Sequence, residues 1–599
     1  MTRSMPPRPP VLSLLGLPHG WTRRVWLQTT VAQTGALIAF RPGFARGTCQ
    51  SGECARLAAG TASGHGAPPE QLAQWAQRAV EAAQAAGASY ADARFTRTTQ
   101  QSYSPLGGGV LEPNEDTELV GVGVRAVVNG YWGFAACPLW VSASTGAETV
   151  VRLARTAVAQ AQVNARGIPS TVEMGHVPAV TGTWATPFKL DPFAISIEEK
   201  VEVIRYWNHL ANRFGLGTEG PAWLRFVRQE RVLVTSDGSL VHQTCYESGG
   251  ECHIKFEGDS KVGNEYPNAI LPLLGLDVVG KGWEVILEAK VPEQLATMPD
   301  KLKAIGEIMK RVKPRRIGRY TVVCDGATMA SLLDQTLGVA TQLDRALGYE
   351  ANMGGTTYLD DPLAMVGHYA VASPLVTVTA NRSAPGQLAT VQWDDEGIVP
   401  EDFTLVKDGV LVDFQTTREQ SAWLAPYYQQ TGQPVRSHGC AAAEDATTIT
   451  MQHMPNLALS PSSSEIHLED LVADVKDGIL IEGGVVAQAD FQGRTGLLDG
   501  RMREITNGRL GPPIAGGSIM FDAVDFWKHV TAVGGPATEL GLTPMYDYTY
   551  KMRLTFETLM NQLYPNYFKG QPAQRTHHSV RAVAATITNQ PLVDPRRRA

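Results

Sequence analysis

The chain has no long apolar run. The best candidate, Val25 to Phe40, is interrupted by Gln28, Thr29, Thr30, Gln33 and Thr34. A spanning helix needs about 20 consecutive apolar residues, so this stretch reads as too short and too polar for a stable membrane span. Basic clusters are also scarce. Lys and Arg number 52 against 59 Asp and Glu, a formal net charge of −7. A phosphate backbone calls for grouped cations, so nucleic acid is not expected as the main partner. Outside the N-terminus and the Lys310 to Arg319 region, the one compact basic run is Pro595-Arg-Arg-Arg598, which sits at the chain end and reads as tail. Cysteine is sparse, with seven in 599 residues: Cys49, Cys54, Cys137, Cys245, Cys252, Cys324 and Cys440. Cys49 with Cys54, or Cys245 with Cys252, could pair in an exported chain, and an odd count leaves at least one thiol over. A Gly-x-Ser-x-Gly elbow is missing, which argues against serine hydrolysis of that type.

Trp21-Thr-Arg-Arg-Val-Trp-Leu-Gln28 resembles a twin-arginine signal, with Arg23-Arg24 in the required place. Residues 1–47 are therefore expected to direct export, giving a periplasmic or exported protein; without that signal the chain would be cytoplasmic. Residues 48–69 are rich in Gly, Ala, Ser and Pro and read as a flexible linker. The composition beyond it, 43% hydrophobic and 19% charged over the whole chain, is that of an ordinary globular protein.

The patterning predicts an α+β fold. Its expected parts are an N-terminal domain over 70–170, a middle region over 171–314, a β-rich, sandwich-like C-terminal domain over 315–590 and a tail over 591–599. In the first part, Gln71 to Ala86 has helical apolar spacing and stops at Gly87. Tyr90, Asp92 and Arg94 open a strand, and alternating strands follow around Asn129-Gly130, a hairpin turn. A helix over Ser144 to Ala165 would cover that sheet. In the middle region, Ser196 to Phe214 and Val291 to Val312 read as helices, and paired strands flank Ser236-Asp-Gly238. His242, Cys245, Cys252 and His253 lack zinc-finger spacing, so strand pairing or a disulfide is expected there. The C-terminal part is a Gly-punctuated series of short strands.

The stretch that organises the chain is Ser331 to Ala351. Leu332, Leu333, Leu337, Val339, Ala340, Leu343 and Leu347 fall on one broad face, predicting an amphipathic helix. It follows a buried strand, Tyr320-Thr-Val-Val-Cys324, and a turn at Asp325-Gly326. This segment resembles the motif helix of the TldD/PmbA family of metallopeptidases, in which His-Glu-x-x-x-His follows a Leu-Leu pair. Here the Leu pair is Leu332-Leu333. Asp334 stands at the first His, Gln335 at the Glu, Val339 at the second His, and Gly338 is kept. Other stretches carry the same likeness: Gly87-Ala-Ser-Tyr-Ala-Asp92, the Gly123-Val-Arg125 hairpin, Asp394-Asp-Glu-Gly397, Val406-Lys-Asp-Gly-Val-Leu-Val412 and Lys569-Gly-Gln-Pro572.

The resemblance implies a peptidase for unfolded or flexible polypeptide, built as a dimer around a closed cavity, with one subunit of a pair holding the metal. The family's metal-binding members also place a cysteine ligand two residues before the lysine of Lys-Gly-Gln-Pro, and this chain has Tyr567 there. A catalytic zinc needs three protein ligands and a general base for its water. Val339 cannot ligate, Gln335 cannot take a proton, and Asp334 alone is not a site. No cofactor is therefore expected on this chain; zinc would sit in a homologous partner, or the chain would pair with itself. Residues at positions i and i+5 of a regular helix point about 140° apart, so the family motif needs a loosened turn or π-bulge. With the ligands gone, this chain is expected to have lost that distortion. The candidate cleft residues are Arg436, His438, His577 and His578. An active metallopeptidase using Asp334, His438 and either His577 or His578, and a non-enzymatic peptide-binding scaffold, are the alternatives.

Overall fold

The computed structural model describes residues 67–106, 110–139, 143–166, 172–175, 177–214, 223–251, 253–257, 268–272, 276–309, 315–351, 354–514, 516–542, 568–569 and 574–594. The signal-like segment, Cys49, Cys54, Cys252, Tyr567 and the arginine tail lie outside them. Among the described residues no helix is long and apolar enough to cross a membrane.

Helix α1 (Pro69–Ala85) starts on a proline, whose fixed φ suits a first turn, and buries Leu72, Trp75, Ala76, Ala79, Val80 and Ala83 along one stripe. Strands β1 (Tyr90–Leu106) and β2 (Val110–Val128) form a long antiparallel hairpin. β3 (Tyr131–Pro138) returns through Asn129 and Gly130, at φ 53° and 81°. Those left-handed values are what a tight hairpin turn demands and what Asn and Gly tolerate. Helix α2 (Ala143–Asn164) packs on α1, β2 and β3.

β4 (Thr181–Ala185), β5 (Trp223–Thr235) and β6 (Leu240–Glu251) complete a six-stranded sheet in the order β3-β2-β1-β5-β6-β4. One sheet thus draws strands from both sides of residue 170. Helix α3 (Ile197–Arg213) is capped by Ser196, whose hydroxyl accepts from the Glu199 N–H at 3.1 Å. With the helices Glu284–Glu288 and Val291–Met309, it builds a separate core over Tyr103, Leu224 and Phe226.

The C-terminal part has two main sheets. One runs, in spatial order, Val410–Leu411, Phe403–Lys407, Val378–Asn381, Asn456–Leu459, Val580–Ala582 and Leu540–Leu542. In the other, the strands Asp477–Ala489, Gly318–Cys324, Ala585–Val593, Ser518–Asp522 and Thr495–Thr506 follow one another, and the last pairs back with the first. That pairing closes a ring of five strands, onto which the short strands Arg509–Pro513 and Val530–Val533 pair. The motif helix packs on Asp477–Ala489 from one sheet and on Val580–Ala582 and Leu540–Leu542 from the other. Its apolar residues join a single core shared by both sheets. The fold is α+β, as the patterning predicts.

The motif helix itself differs from the sequence expectation. It begins at Gly326, where the Asp325 carboxylate accepts from the Thr328 N–H at 2.8 Å. It is not amphipathic: every residue from Thr328 to Arg345 is buried. It also keeps a π-turn, Asp334–Gly338, and then breaks at Gln342 before a short Leu343–Ala346 turn. The polar residues that suggest a wet face are bonded internally instead. Thr336 hydroxyl donates back to the Leu332 carbonyl and accepts from Trp527 Nε1 at 2.9 Å. Thr341 hydroxyl donates to the Leu337 carbonyl and Gln415 Nε2 to the Gly338 carbonyl, both at 2.7 Å. Hydroxyls that bond back four residues loosen a helix, and here packing and side-chain bonds hold the widened turn without metal ligands.

Candidate functional site

Asp334, Gln335 and Val339 occupy the positions where the motif would place two ligands and a base. Asp334 Oδ1 lies 2.8 Å from His578 Nε2, and both side chains are 0% exposed. Asp334 Oδ2 accepts from Gln335 Nε2 at 2.8 Å. Val339 is buried and offers only hydrocarbon. Gly338 is present for packing: a Cβ there would come within 2.7 Å of Leu457 Cδ1. Among the described residues no three His, Cys, Asp or Glu side chains converge into a group that could hold a metal ion. The described residues at the motif therefore do not fit a catalytic zinc, which takes three protein ligands. Tyr567, at the third ligand position, lies outside the described residues.

The cleft candidates fall into three settings. Arg436 pairs with Glu401 at 2.5 Å near the surface. His438 Nε2 is 2.9 Å from Asp413 Oδ2, and its Nδ1 is 3.4 Å from Glu401 Oε1. Tyr428 hydroxyl donates to the other Asp413 oxygen at 2.7 Å, and Phe403 stacks on the imidazole at 4.0 Å between centroids. Burial opposes the charged imidazole, but bonds to Asp413 and Glu401 outweigh it and raise its pKa to about 9. This is an internal clasp with an imidazolium at its centre. His577 Nδ1 lies 2.7 Å from Glu247 Oε1. Burial would raise the Glu247 carboxyl, yet His577, Arg225 and Arg575 bring it down to about 2. His578 faces Asp334. The structure thus joins two residues of the alternative ligand set, Asp334 and His578, and gives His438 and His577 carboxylates of their own.

A polar cavity of about 30 Å³ lies among Arg231, Cys245, Glu247, Arg382, His453 and His577. That is room for about two waters and not for a peptide. Cys137, Cys245, Cys324 and Cys440 are free thiols.

A charged network at the domain junction went unread in the sequence. Arg125 reaches Asp92 Oδ2 at 2.7 Å within the first sheet and Glu396 Oε1 at 3.3 Å across the junction. Arg94 donates to Asp395 Oδ2 and to the Thr448 carbonyl, both at 2.7 Å. Arg231 lies 3.4 Å from Asp395 Oδ1. Glu396 Oε2 accepts from the Arg418 N–H at 3.0 Å, and the Arg418 guanidinium donates to Asp237 at 2.8 Å. Burial would raise Asp395, but Arg231, Arg94 and Arg382 hold its carboxyl below the usual range. Asp394 goes the other way: burial and the neighbouring Glu396 raise it to about 7. The Gly123 backbone makes the approach possible, because a Cβ there would sit 2.0 Å from the Ala446 carbonyl oxygen. The available signal was the placement of Asp92, Arg94 and Arg125 on strands whose charged faces would need a cover.

Asp92, Arg125, Asp395 and Glu396 of this junction lie in stretches that carry the family likeness, and the likeness extends beyond them. The sequence model described as "PmbA/TldA metallopeptidase domain 1" matches residues 91–161, and that of the "PmbA/TldA metallopeptidase C-terminal domain" matches residues 317–550. The chain belongs to the TldD/PmbA family. It is similar to a metalloprotease of Methanocaldococcus jannaschii, with 21% identity over 374 residues, 62% of this chain and 73% of that one. A metalloprotease of Archaeoglobus fulgidus is 23% identical over 384 residues, 63% of this chain and 76% of that one. Among solved structures, TldE from Thermococcus kodakarensis superposes with a TM-score of 0.58 at 13% identity, covering 87% of this chain and 100% of that one. At that identity the likeness is one of fold.

Proposed function

We propose that this chain is the metal-free subunit of a paired peptidase, shaping the cavity and holding an extended peptide while a homologous subunit carries the zinc. One observation supports this reading above the others. The side chain at the first ligand position, Asp334, is enclosed with no exposed surface. Val339, at the second position, is apolar, and Gln335 is neutral and cannot serve as a general base. The retained π-turn fits descent from a metal-binding helix whose shape outlived its ligands. The substrate class is unfolded or flexible polypeptide, bound by strand addition along a sheet edge. Export by the twin-arginine route to the periplasm is part of the same proposal, resting on Arg23-Arg24.

Co-expression with a family member bearing His-Glu-x-x-x-His tests it. A stable complex that cleaves unfolded peptides, with neither subunit active alone, is the expected result. Full activity of the partner without this chain would overturn it. The contact between Asp334 and His578 favours a second reading, an active metallopeptidase with relocated ligands, in which this chain alone would cleave peptide.

A further inference from the structure

The outer helical layer of the first domain carries an open groove of about 680 Å³, lined by Arg78 of α1 and by Ala147, Glu148, Val151, Arg152, Arg155, Thr156 and Ala159 of α2. The α2 positions recur at three- and four-residue spacing, so they form one face of that helix. Arg78, Arg152 and Arg155 are all exposed. Among the described residues, none of the three guanidinium groups has a carboxylate at ion-pair distance. Glu148 stands four residues before Arg152, the spacing of a helical ion pair, and no such pair forms. Three cations therefore face one anion in a chain whose net charge is −7.

We propose that this groove docks an acidic, extended segment of polypeptide. Residues 147 to 159 rise about 18 Å along the helix, which matches about five or six residues of extended chain. Arginines on both walls give bidentate donors for carboxylates. Ala147, Val151 and Ala159 supply a shallow floor of small apolar side chains on which a peptide backbone can lie. A nucleic acid is the poorer fit, because its closely spaced phosphates meet Glu148 and the surplus negative charge of the chain. The proposal stands apart from the metal-free reading: it concerns a face on another domain and is measured without peptidase activity.

The test uses the whole chain and fluorescence anisotropy with a labelled peptide of alternating Glu and Ser, a matched Lys-Ser peptide and a dT oligonucleotide. The Glu-Ser peptide should bind, more weakly as salt rises. R152E/R155E should weaken that binding at least about tenfold, with an unchanged melting temperature. Arg205→Glu, an exposed arginine on α3 outside the groove, should leave it unchanged. No binding by the natural chain, equal loss in R205E, or equal binding of the oligonucleotide would each overturn the proposal.

Discussion

Replacing Arg94 with Met tests whether the charged junction holds the two domains together. The Arg94 side chain is 4% exposed and donates to Asp395 and to the Thr448 carbonyl, both at 2.7 Å. Methionine keeps much of the volume and removes both bonds. Asp395 stays buried but keeps two partners, the Ala443 N–H at 2.9 Å and Arg231 at 3.4 Å. Breaking a buried pair costs about 3–5 kcal/mol, and the surviving partners place this case near about 3. A global unfolding curve is a poor assay, because a chain of this size need not unfold in one step. Amide exchange reads the junction directly. The reporters are Ala443 N–H, bonded to Asp395, and Ala446 N–H, which donates to Thr96 Oγ1 at 2.9 Å. A loss of about 3 kcal/mol speeds exchange at both by about 150-fold. Amides of the closed strand ring should keep their natural rates. Acceleration below about fivefold at both reporters would refute the idea that this network closes the junction.

Other predictions follow from single contacts. Gly123→Ala forces a methyl to within 2.0 Å of the Ala446 carbonyl oxygen. It should cost about 3 kcal/mol, the upper end for overpacking, and expose the junction to limited proteolysis. Thr336→Val removes the acceptor of Trp527 Nε1, a fully buried indole. A loss of about 1–3 kcal/mol, read as faster amide exchange along the motif helix, is expected, whereas Thr336→Ser should recover most of it. His438 contributes through a raised pKa, so its stabilisation is complete below the unfolded value of about 6.5 and is lost as pH rises through about 9. The melting temperature of the natural chain should fall across that window, and His438→Gln should flatten the fall.

Much of the framework could be read from the sequence, because hairpin turns and helical stripes are local signals. Asn129-Gly130 and the apolar stripe of α1 needed only their own neighbours. The motif helix was harder. Its apolar spacing predicts a wet face, but Asp334, Thr336 and Thr341 are satisfied by His578, Trp527 and the helix's own carbonyls. Those partners come from distant sequence, and nothing local announces them. The π-turn, expected to be lost with the ligands, is kept for the same reason, since Gln415 and Trp527 support it from distant sequence. The junction network joins Arg94 to Asp395 across about 300 residues. Its residues were visible as a family likeness, and their pairing was not. Position 567 lies outside the described residues, so the motif's third ligand position is known from sequence alone.

The measurement closest to the central claim is the metal content of the purified, folded chain, compared with its Asp334→Ala variant. The metal-free reading predicts no stoichiometric zinc in either protein and no peptidase activity from the chain alone. One zinc per chain, lost on D334A together with peptide cleavage, would contradict it and establish an independent metallopeptidase with relocated ligands.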